Sequence, residues 1–381
     1  MTDYNYYLVT SIFDVKKYYP GINRWRSSSK YIELFNYFYE LNLPTIVFIE
    51  DHLKDKIKKM DNFHTIVKNM DELPAYQLLK DKDNLRPISN GQHLNKEFTA
   101  VINSKFYLLQ EAKEYLIRNN LLSSITHLIW LDAGIAHIET IDPLQFKEDI
   151  KLHMHDKIMN VLMKAVTSQE VTNLDSYLQC SYGKIAAGLF VVPINMVNWY
   201  YEELWKYFKY SVEELKLLCY EEQLMSVLVG KHPEKFDFSF SDYFLLKNLR
   251  YITNDLHTVL NNLTFCREHN LLDIAMKIIT LTFTSIGKSR LQISEERCCQ
   301  FLYDAQICSF YRDKSISKMS GLLLGYMYYN NASGKKWVFD RFGNIKTNLG
   351  YIGIDLDNET LFKEEYIISE IDIYKILWKI F

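Results

Sequence analysis

Residues 123–139 read SSITHLIWLDAGIAHIE, and the rest of the chain is organised around this stretch. The apolar run Ile125–Leu131 is followed at once by Asp132, Ala133 and Gly134. A dense apolar run that stops at a turn-forming segment is typical of a buried parallel strand ending at a sheet edge. Open α/β sheets bind ligands just beyond the carboxyl ends of their strands, so Asp132 is a candidate ligand-binding residue. The alternative is that Asp132 caps the turn or helix that follows.

The composition indicates a globular protein of one large domain or two. The chain has 381 residues, of which 48% are hydrophobic and 24% are charged. Its formal net charge of −3 provides no basic field, so no nucleic-acid partner is expected. No uncharged apolar run is long enough to span a membrane, and the acidic N-terminus MTDYNYYLVT does not resemble a secretory signal. We expect a cytoplasmic protein without a transmembrane segment, either free or peripheral at a membrane.

Strand and helix patterns alternate through the first half of the chain. The predicted elements are strands at Tyr6–Phe13, Thr45–Ile49, His64–Val67 and Gly183–Pro193, and helices at Lys30–Leu41, after Glu50-Asp51, and at Phe98–Arg118. The β-α-β-α-β order through residue 67 predicts a mostly parallel sheet covered by helices. The long helix at Phe98–Arg118 leads directly into the central strand, so its neighbours should border the same cleft.

From residue 255 onward the helical pattern dominates. Four helices are predicted at Leu256–His269, Leu271–Phe283, Ser294–Phe310 and Ser315–Tyr329, followed by strand segments within Lys336–Ile354 and an amphipathic segment at Ile367–Phe381. We therefore predict an α/β domain at residues 1–250. A mainly helical C-terminal region with a short terminal β element is predicted at residues 251–381.

Three sets of residues are candidates for the cleft beyond the sheet. Arg24 and Arg26 follow the first strand, where guanidinium groups suit phosphate oxygens, although they could equally be solvated loop charges. Gly188 ends an Ala-Ala-Gly run that would let a ligand, or simply another packed element, approach closely. Glu221 and Glu222 begin a helix, where they complement the helix dipole or present a carboxylate to the cleft.

Several segments, in this order, resemble the HtrL/YibB-type family, which is linked to bacterial surface-polysaccharide gene clusters. They are YLVTSIFDV with Arg24, Arg26 and Tyr31 behind it, PTIVFIE, NSKFYLL, WLDAGI, AAGLF, and YEEQL with KHPEKF behind it. The resemblance covers roughly residues 6 to 245 and rests on the sequential agreement of these segments.

The resemblance implies a glycosyltransferase with a GT-A-like, Rossmann-like fold that moves a sugar from a nucleotide-sugar donor, UDP-linked, to a glycan acceptor. It implies that the donor is bound by Thr10, Phe13, Arg24, Arg26, Asn103, Lys105, Asp132, Ala133, Gly134 and Gly188. Asp132 and Glu222 would be catalytic. Glu222 would be the base on the acceptor side of an inverting enzyme, or would stabilise the cationic sugar in a retaining one.

Enzymes of this type usually carry Asp-x-Asp after a strand to hold Mn²⁺ or Mg²⁺ on the diphosphate. Here Gly134 occupies the third position, which departs from that motif. Asp132 could bind the metal alone with waters or together with His137, or it could bind only ribose.

Two other functions are consistent with the sequence. The first is a catalytically silent interaction protein that binds a partner through the helical region after residue 255, which the Gly134 departure favours. The second is another nucleotide-using enzyme such as a nucleotidyltransferase. A glycine-rich phosphate loop would mark the latter, and neither GxGxxG nor GxxxxGK occurs in the chain.

Overall fold

The computed structural model describes residues 5–19, 27–91, 93–164, 166, 168–240, 245, 246, 249, 256–268, 270, 272–287, 295–310 and 312–330. The chain divides into two compact units. One comprises Met1–Ser239 with Tyr243–Arg250, and the other comprises Phe240–Asp242 with Tyr251–Phe381. Among the described helices, none combines the length and the apolar character needed to cross a bilayer.

Strands and helices alternate through residues 6–240, all but the last of which belong to the first unit. The strands are β1 (Tyr6–Ile12), β2 (Thr45–Ile49), β3 (Phe63–Val67), β4 (Arg86–Pro87), β5 (His127–Leu131), β6 (Ile158–Leu162), β7 (Ile185–Pro193), β8 (Leu217–Leu218) and β9 (Phe236–Phe240). The helices are α1 (Val15–Tyr18), α2 (Ser28–Leu34), α3 (Asn36–Leu41), α4 (Pro74–Leu79), α5 (Lys96–Asn103), α6 (Lys105–Arg118), α7 (Pro143–Lys151), α8 (Leu174–Leu178), α9 (Val197–Glu213) and α10 (Glu221–Lys231).

Seven of these strands form one sheet in the order β3-β2-β1-β5-β7-β6-β9. β1 pairs in parallel with β2 and β5, and β2 pairs in parallel with β3. β7 runs antiparallel to both β5 and β6. The predicted α/β class, with a mostly parallel central sheet and flanking helices, is confirmed. The central strand β5, however, is parallel to β1 and antiparallel to β7. The sequence could not predict this difference, because a fully apolar run indicates burial on both faces and not the direction of the next strand.

Alternation along β5 divides its side chains between two layers of helices. Ile129 and Leu131 belong to the core cluster that includes the apolar side chains of α3 and α7. Trp130 faces the opposite layer, where its ring stacks on Phe190 of β7 at a centroid distance of 6.2 Å. Phe106 of α6 also contacts Phe190, at 5.7 Å. α6 therefore packs on the face of the sheet that carries Trp130.

Two predicted helices are each divided in the structure. The helix predicted at Lys30–Leu41 forms α2 and α3, which meet at Phe35. The helix predicted at Phe98–Arg118 forms α5 and α6, with Ser104 between them. The Ser104 hydroxyl donates to the carbonyl of Ala100 at 2.7 Å, and hydrogen bonds of this type bend helices. The lysine-rich segment after Glu50 is a 3₁₀ turn and not an amphipathic α-helix.

The second unit contains the helices predicted after residue 255. They are α11 (Leu256–Glu268), α12 (Leu272–Gly287), α13 (Glu295–Ser309) and α14 (Lys314–Asn330), so these predicted helices are confirmed with small changes in their ends. A buried Asp304 on α13 lies 3.3 Å from Arg267 of α11 and joins those two helices. The predicted segments Lys336–Ile354 and Ile367–Phe381 lie outside the described residues.

Candidate active site

A cavity of about 460 Å³ opens at the carboxyl ends of β1 and β5. The chain runs from β1 outward to β2 and β3 on one side, and its return to β5 on the other side reverses the strand order. Open α/β sheets bind their ligands at such a reversal. The lining side chains and backbone come from the first unit: Ser11, Ile12, Phe13, Val15, Tyr31, Phe98, Val101, Ile102, Lys105, Trp130, Asp132, Ala133, Gly134, Ile135, His137, Ile138, Ala186, Gly188, Tyr220, Glu221, Glu222 and Leu245.

Asp132 directly follows β5 and continues the face of the sheet that carries Trp130, since alternate residues of a strand point the same way. The indole Nε1 of Trp130 donates to Asp132 Oδ1 at 2.7 Å. Lys105 Nζ lies 2.9 Å from Oδ1 and 3.1 Å from Oδ2. The Asp132 side chain nevertheless keeps 38% of its surface exposed, so the carboxylate also faces the cavity. The 3₁₀ turn that follows, Ile135–His137, has no side-chain cap, and the capping alternative for Asp132 is wrong.

Lys105 is the first residue of α6, and its ammonium group is buried, with 7% of the side chain exposed. Besides Asp132, it contacts Glu221 Oε1 at 2.8 Å and the carbonyl oxygen of Ala187 at 3.0 Å. Burial by itself lowers the pKa of Lys105, but the carboxylates of Asp132 and Glu221 outweigh this effect and raise it. The side chain is therefore a charged internal cation. We call Lys105, Asp132 and Glu221 the lysine–carboxylate cluster.

Glu221 and Glu222 begin helix α10 and both line the cavity. The backbone N–H of Ala187 donates to Glu222 Oε1 at 3.4 Å. Burial, and then the neighbouring charge of Glu221, raise the pKa of Glu222 to about 8. Burial also raises the pKa of Glu221, although the adjacent ammonium of Lys105 opposes that rise. Glu222 is therefore a carboxyl group that gains or loses its proton near neutral pH, as acid–base catalysis requires.

An irregularity in the pairing of β7 makes the backbone of Ala187 available to Lys105 of α6 and to Glu222 of α10. Along β6 the paired residue on β7 changes from Phe190, opposite Asn160, to Ala186, opposite Val161. The pairing thus skips residues 187–189, and such bulges are frequent beside active sites because they redirect backbone groups. The Ala187 carbonyl accepts from Lys105, and its N–H donates to Glu222.

Asp132 and His137 do not fit a divalent cation. Both oxygens of Asp132 already lie within hydrogen-bond distance of the Lys105 ammonium. The Nδ1 of His137 lies 2.7 Å from the carbonyl oxygen of Gly134, to which it donates, so His137 could supply one ligand through Nε2. Gly134 supplies no side-chain ligand. Across the described residues no group of three or more His, Cys, Asp or Glu side chains is arranged to hold a metal.

The structure brings eight of the predicted site residues to the cavity wall: Phe13, Lys105, Asp132, Ala133, Gly134, His137, Gly188 and Glu222. Two others are placed elsewhere. Thr10 is fully buried within β1, and Asn103 is buried at the end of α5, where its side chain donates to the carbonyls of Thr99 and Cys219. Both therefore support the fold around the cavity and do not line it. Arg24 and Arg26 lie outside the described residues.

Three features of the site carry no clear mark in the sequence. Glu221 is joined to Lys105, yet in the sequence it is only one of two acids at a helix start. Trp130 reads as a core residue, and its indole N–H is committed to Asp132. Tyr31 and Tyr220 line the cavity among many other tyrosines of the chain.

Three groups therefore surround one cavity: the half-exposed carboxylate of Asp132, the internal ammonium of Lys105 and the titratable carboxyl group of Glu222. This arrangement suits the binding and deprotonation of hydroxyl groups. No protein-family model and no curated protein matches this chain.

Proposed function

We propose that this protein is a glycosyltransferase that moves a sugar from a UDP-linked donor to a hydroxyl group of a glycan acceptor. Its α/β unit would bind the nucleotide sugar, as in GT-A-type enzymes. The observation that supports the proposal most directly is the convergence of Lys105, Asp132, Glu221 and Glu222 in a cavity at the reversal of strand order. The resemblance of residues 6 to 245 to the HtrL/YibB-type family supports the same reaction. We propose a cytoplasmic site of action, free or peripheral at a membrane.

The charges in the cavity suggest how the donor is oriented. The lysine–carboxylate cluster carries one more carboxylate than ammonium, so it repels a diphosphate and favours neutral hydroxyl groups. The sugar and ribose hydroxyls would therefore face Asp132. The diphosphate would lie toward the segment after β1, where Phe13 lines the cavity and where Arg24 and Arg26 follow in the sequence. Guanidinium groups there would hold the leaving group.

The transfer step follows from the position of Glu222. The acceptor oxygen forms a bond to the anomeric carbon while the bond between that carbon and the diphosphate oxygen breaks, and the electron pair leaves with UDP. In an inverting enzyme the proton of the acceptor hydroxyl passes to Glu222. In a retaining enzyme the ionised Glu222 would stabilise the positive charge that develops on the sugar, and the acceptor proton would pass to the departing diphosphate oxygen. Both roles need the deprotonated carboxylate.

A thermal-shift screen of UDP, GDP and CMP tests the proposal. We expect UDP to raise the melting temperature, because a ligand at a hundred times its Kd stabilises the folded state by about 2.7 kcal/mol. UDP-glucose serves as the probe for a UDP-linked donor. Asp132→Asn should weaken its binding about 10- to 100-fold, since hydrogen bonds to charged groups contribute about 1.5–3 kcal/mol. The exposed Glu33→Asn variant is the matched control, and it should bind like the wild type.

The outcomes distinguish the proposed glycosyltransferase from a non-catalytic interaction protein. If none of the three nucleotides shifts the melting temperature, the donor-binding proposal fails and the non-catalytic interaction protein is favoured. Equal binding of UDP-glucose by the wild type and Asp132→Asn would remove Asp132 from the donor site.

Gly188→Ala is expected to weaken UDP-glucose binding about tenfold or more. A Cβ at this position would lie 3.6 Å from Asp132 Oδ2 and 3.0 Å from Leu245 Cδ1. The methyl group would occupy the space beside the carboxylate oxygen that faces the ligand. The close contact with Leu245 should also cost about 1–3 kcal/mol of stability. Calorimetric titration and thermal melting measure the two effects separately.

The double variant Gly188→Ala/Leu245→Val distinguishes a blocked site from a strained one. Shortening Leu245 should restore the melting temperature and leave the binding defect in place. Recovery of both together would mean that Gly188 is needed only for packing.

A further inference from the structure

We propose that the Lys105 ammonium takes the place of a divalent cation at Asp132, so that the site binds its donor without metal and Asp132 accepts a hydroxyl group of that donor. The identity of the donor rests on the proposed function. The exclusion of metal rests only on the contacts of the lysine–carboxylate cluster.

The position that a cation would take at Asp132 is already taken by Lys105. Its Nζ lies 2.9 and 3.1 Å from the two carboxylate oxygens. Mg²⁺ binds a carboxylate oxygen at about 2.0–2.1 Å and demands near-octahedral surroundings. A metal on the same oxygens would sit against a fixed positive charge in a buried setting, where charges interact strongly.

Lys105 cannot move away from that position without loss. Its three N–H groups face Asp132, Glu221 Oε1 at 2.8 Å and the Ala187 carbonyl at 3.0 Å. With 7% of the side chain exposed, the ammonium is enclosed on most sides by protein atoms. Displacing it would leave Asp132 and a buried Glu221 without their counter-charge.

Asp132 still has room for one ligand donor. An ionised carboxylate offers about four acceptor positions. Trp130 donates to Oδ1, which also lies 2.9 Å from the Lys105 ammonium, while Oδ2 accepts only from Lys105 among the hydrogen bonds of the described residues. Oδ2 is also the oxygen beside Gly188, another residue that lines the cavity. A neutral hydroxyl of ribose or of the donor sugar fits this position.

A Mn²⁺ titration tests the exclusion of metal without any nucleotide. Binding is measured as the loss of the electron paramagnetic resonance signal of the free ion. The wild type should not bind Mn²⁺ at Asp132. Lys105→Ala should bind Mn²⁺ at least tenfold more tightly than the wild type, because the substitution leaves the carboxylates of Asp132 and Glu221 without a counter-charge. Adding Asp132→Asn to this variant should abolish the new site. Lys68→Ala, which removes a lysine from another partly buried ion pair with Glu111 at 3.0 Å, should leave Mn²⁺ binding unchanged.

Two results in this arm would overturn the proposal. One is Mn²⁺ binding by the wild type that Asp132→Asn removes. The other is a folded Lys105→Ala variant that gains no Mn²⁺ affinity, because the lysine would then not be what excludes the metal.

A second measurement on the wild type decides the question if Lys105→Ala does not fold. UDP affinity is measured with excess EDTA and with excess Mn²⁺. Similar values support the proposal, whereas binding tighter with Mn²⁺ by about tenfold or more overturns it. If UDP binds in neither condition, the proposed function fails while the Mn²⁺ arm still decides the cation question. A defect of Asp132→Asn toward UDP as well as UDP-glucose assigns the hydroxyl to ribose, and a defect toward UDP-glucose alone assigns it to the sugar.

Discussion

Lys105→Met should lower the free energy of unfolding of the first unit by about 3–5 kcal/mol, the largest stability effect we expect from a single change near the cavity. Methionine keeps the length and apolar stem of lysine, so little packing is lost. What is lost is the ammonium that lies between Asp132 and Glu221, at 2.9 and 2.8 Å. Removing one member of a buried ion cluster leaves the remaining charges without compensation, which is costly in a setting that excludes water.

Urea denaturation followed by tryptophan fluorescence measures this loss, since Trp130 lies within the affected hydrogen-bond network. Lys68→Met is the matched control, because its partner Glu111 is about one quarter exposed and can be solvated. The control should lose about 1 kcal/mol or less. In Lys105→Met/Glu221→Gln, removal of the more buried carboxylate should restore part of the stability. Equal losses in Lys105→Met and Lys68→Met would mean that water compensates the cluster and that Lys105 is not an internal cation.

Glu222→Gln should reduce the rate of sugar transfer by about 10²- to 10⁴-fold, the range that a positioned general base or charge stabiliser provides. Glutamine keeps the size and polarity of the side chain but cannot take up a proton. Nucleotide binding should persist, because the contact that fixes Glu222 is to the backbone N–H of Ala187. UDP release from UDP-glucose in the presence of acceptor measures the rate, and the thermal shift with UDP verifies that the variant still binds.

The pH dependence of kcat/KM gives this prediction a sign. Burial and the neighbouring Glu221 raise the pKa of Glu222 to about 8, and both proposed roles need the ionised form. The rate should therefore rise as the pH increases through about 8 and level off above it, since kcat/KM reports the free enzyme. In Glu222→Gln this rise should disappear. A wild-type rate that falls through the same range would assign Glu222 the role of an acid.

The same shift has a consequence for stability that needs no substrate. Because the folded pKa lies above the ordinary value of 4.5, the folded protein holds a proton that the unfolded chain releases. The contribution of Glu222 to the free energy of unfolding is fully present below pH 4.5 and is lost as the pH rises to about 8. Glu222→Gln should remove this part of the pH dependence, whereas Glu33→Gln, at an exposed position, should not.

Local sequence determined the elements and the place of Asp132. The apolar run before Asp132 forms β5 with all five residues buried, and the alternation of β1, β2 and β3 with helices produces the parallel half of the sheet. These features depend on periodicity and burial, which are properties of short segments. The direction of β7 could not be obtained in this way, because a fully buried run looks the same beside a parallel and an antiparallel neighbour.

Only the tertiary structure decided what surrounds Asp132. Lys105 is 27 residues away along the chain and reaches the carboxylate because α6 starts at the helix break after Ser104 and packs on the Trp130 face of the sheet. Glu221 is supplied by the start of α10, 2.8 Å from the Lys105 ammonium. A carboxylate at the end of a strand can bind a metal, cap a turn or pair with an ammonium group. Which of these it does depends on the distant side chain that the packing places beside it. The sequence therefore specified an acid at the mouth of a cleft, and the packing of two helices gave that acid an internal cation as its partner.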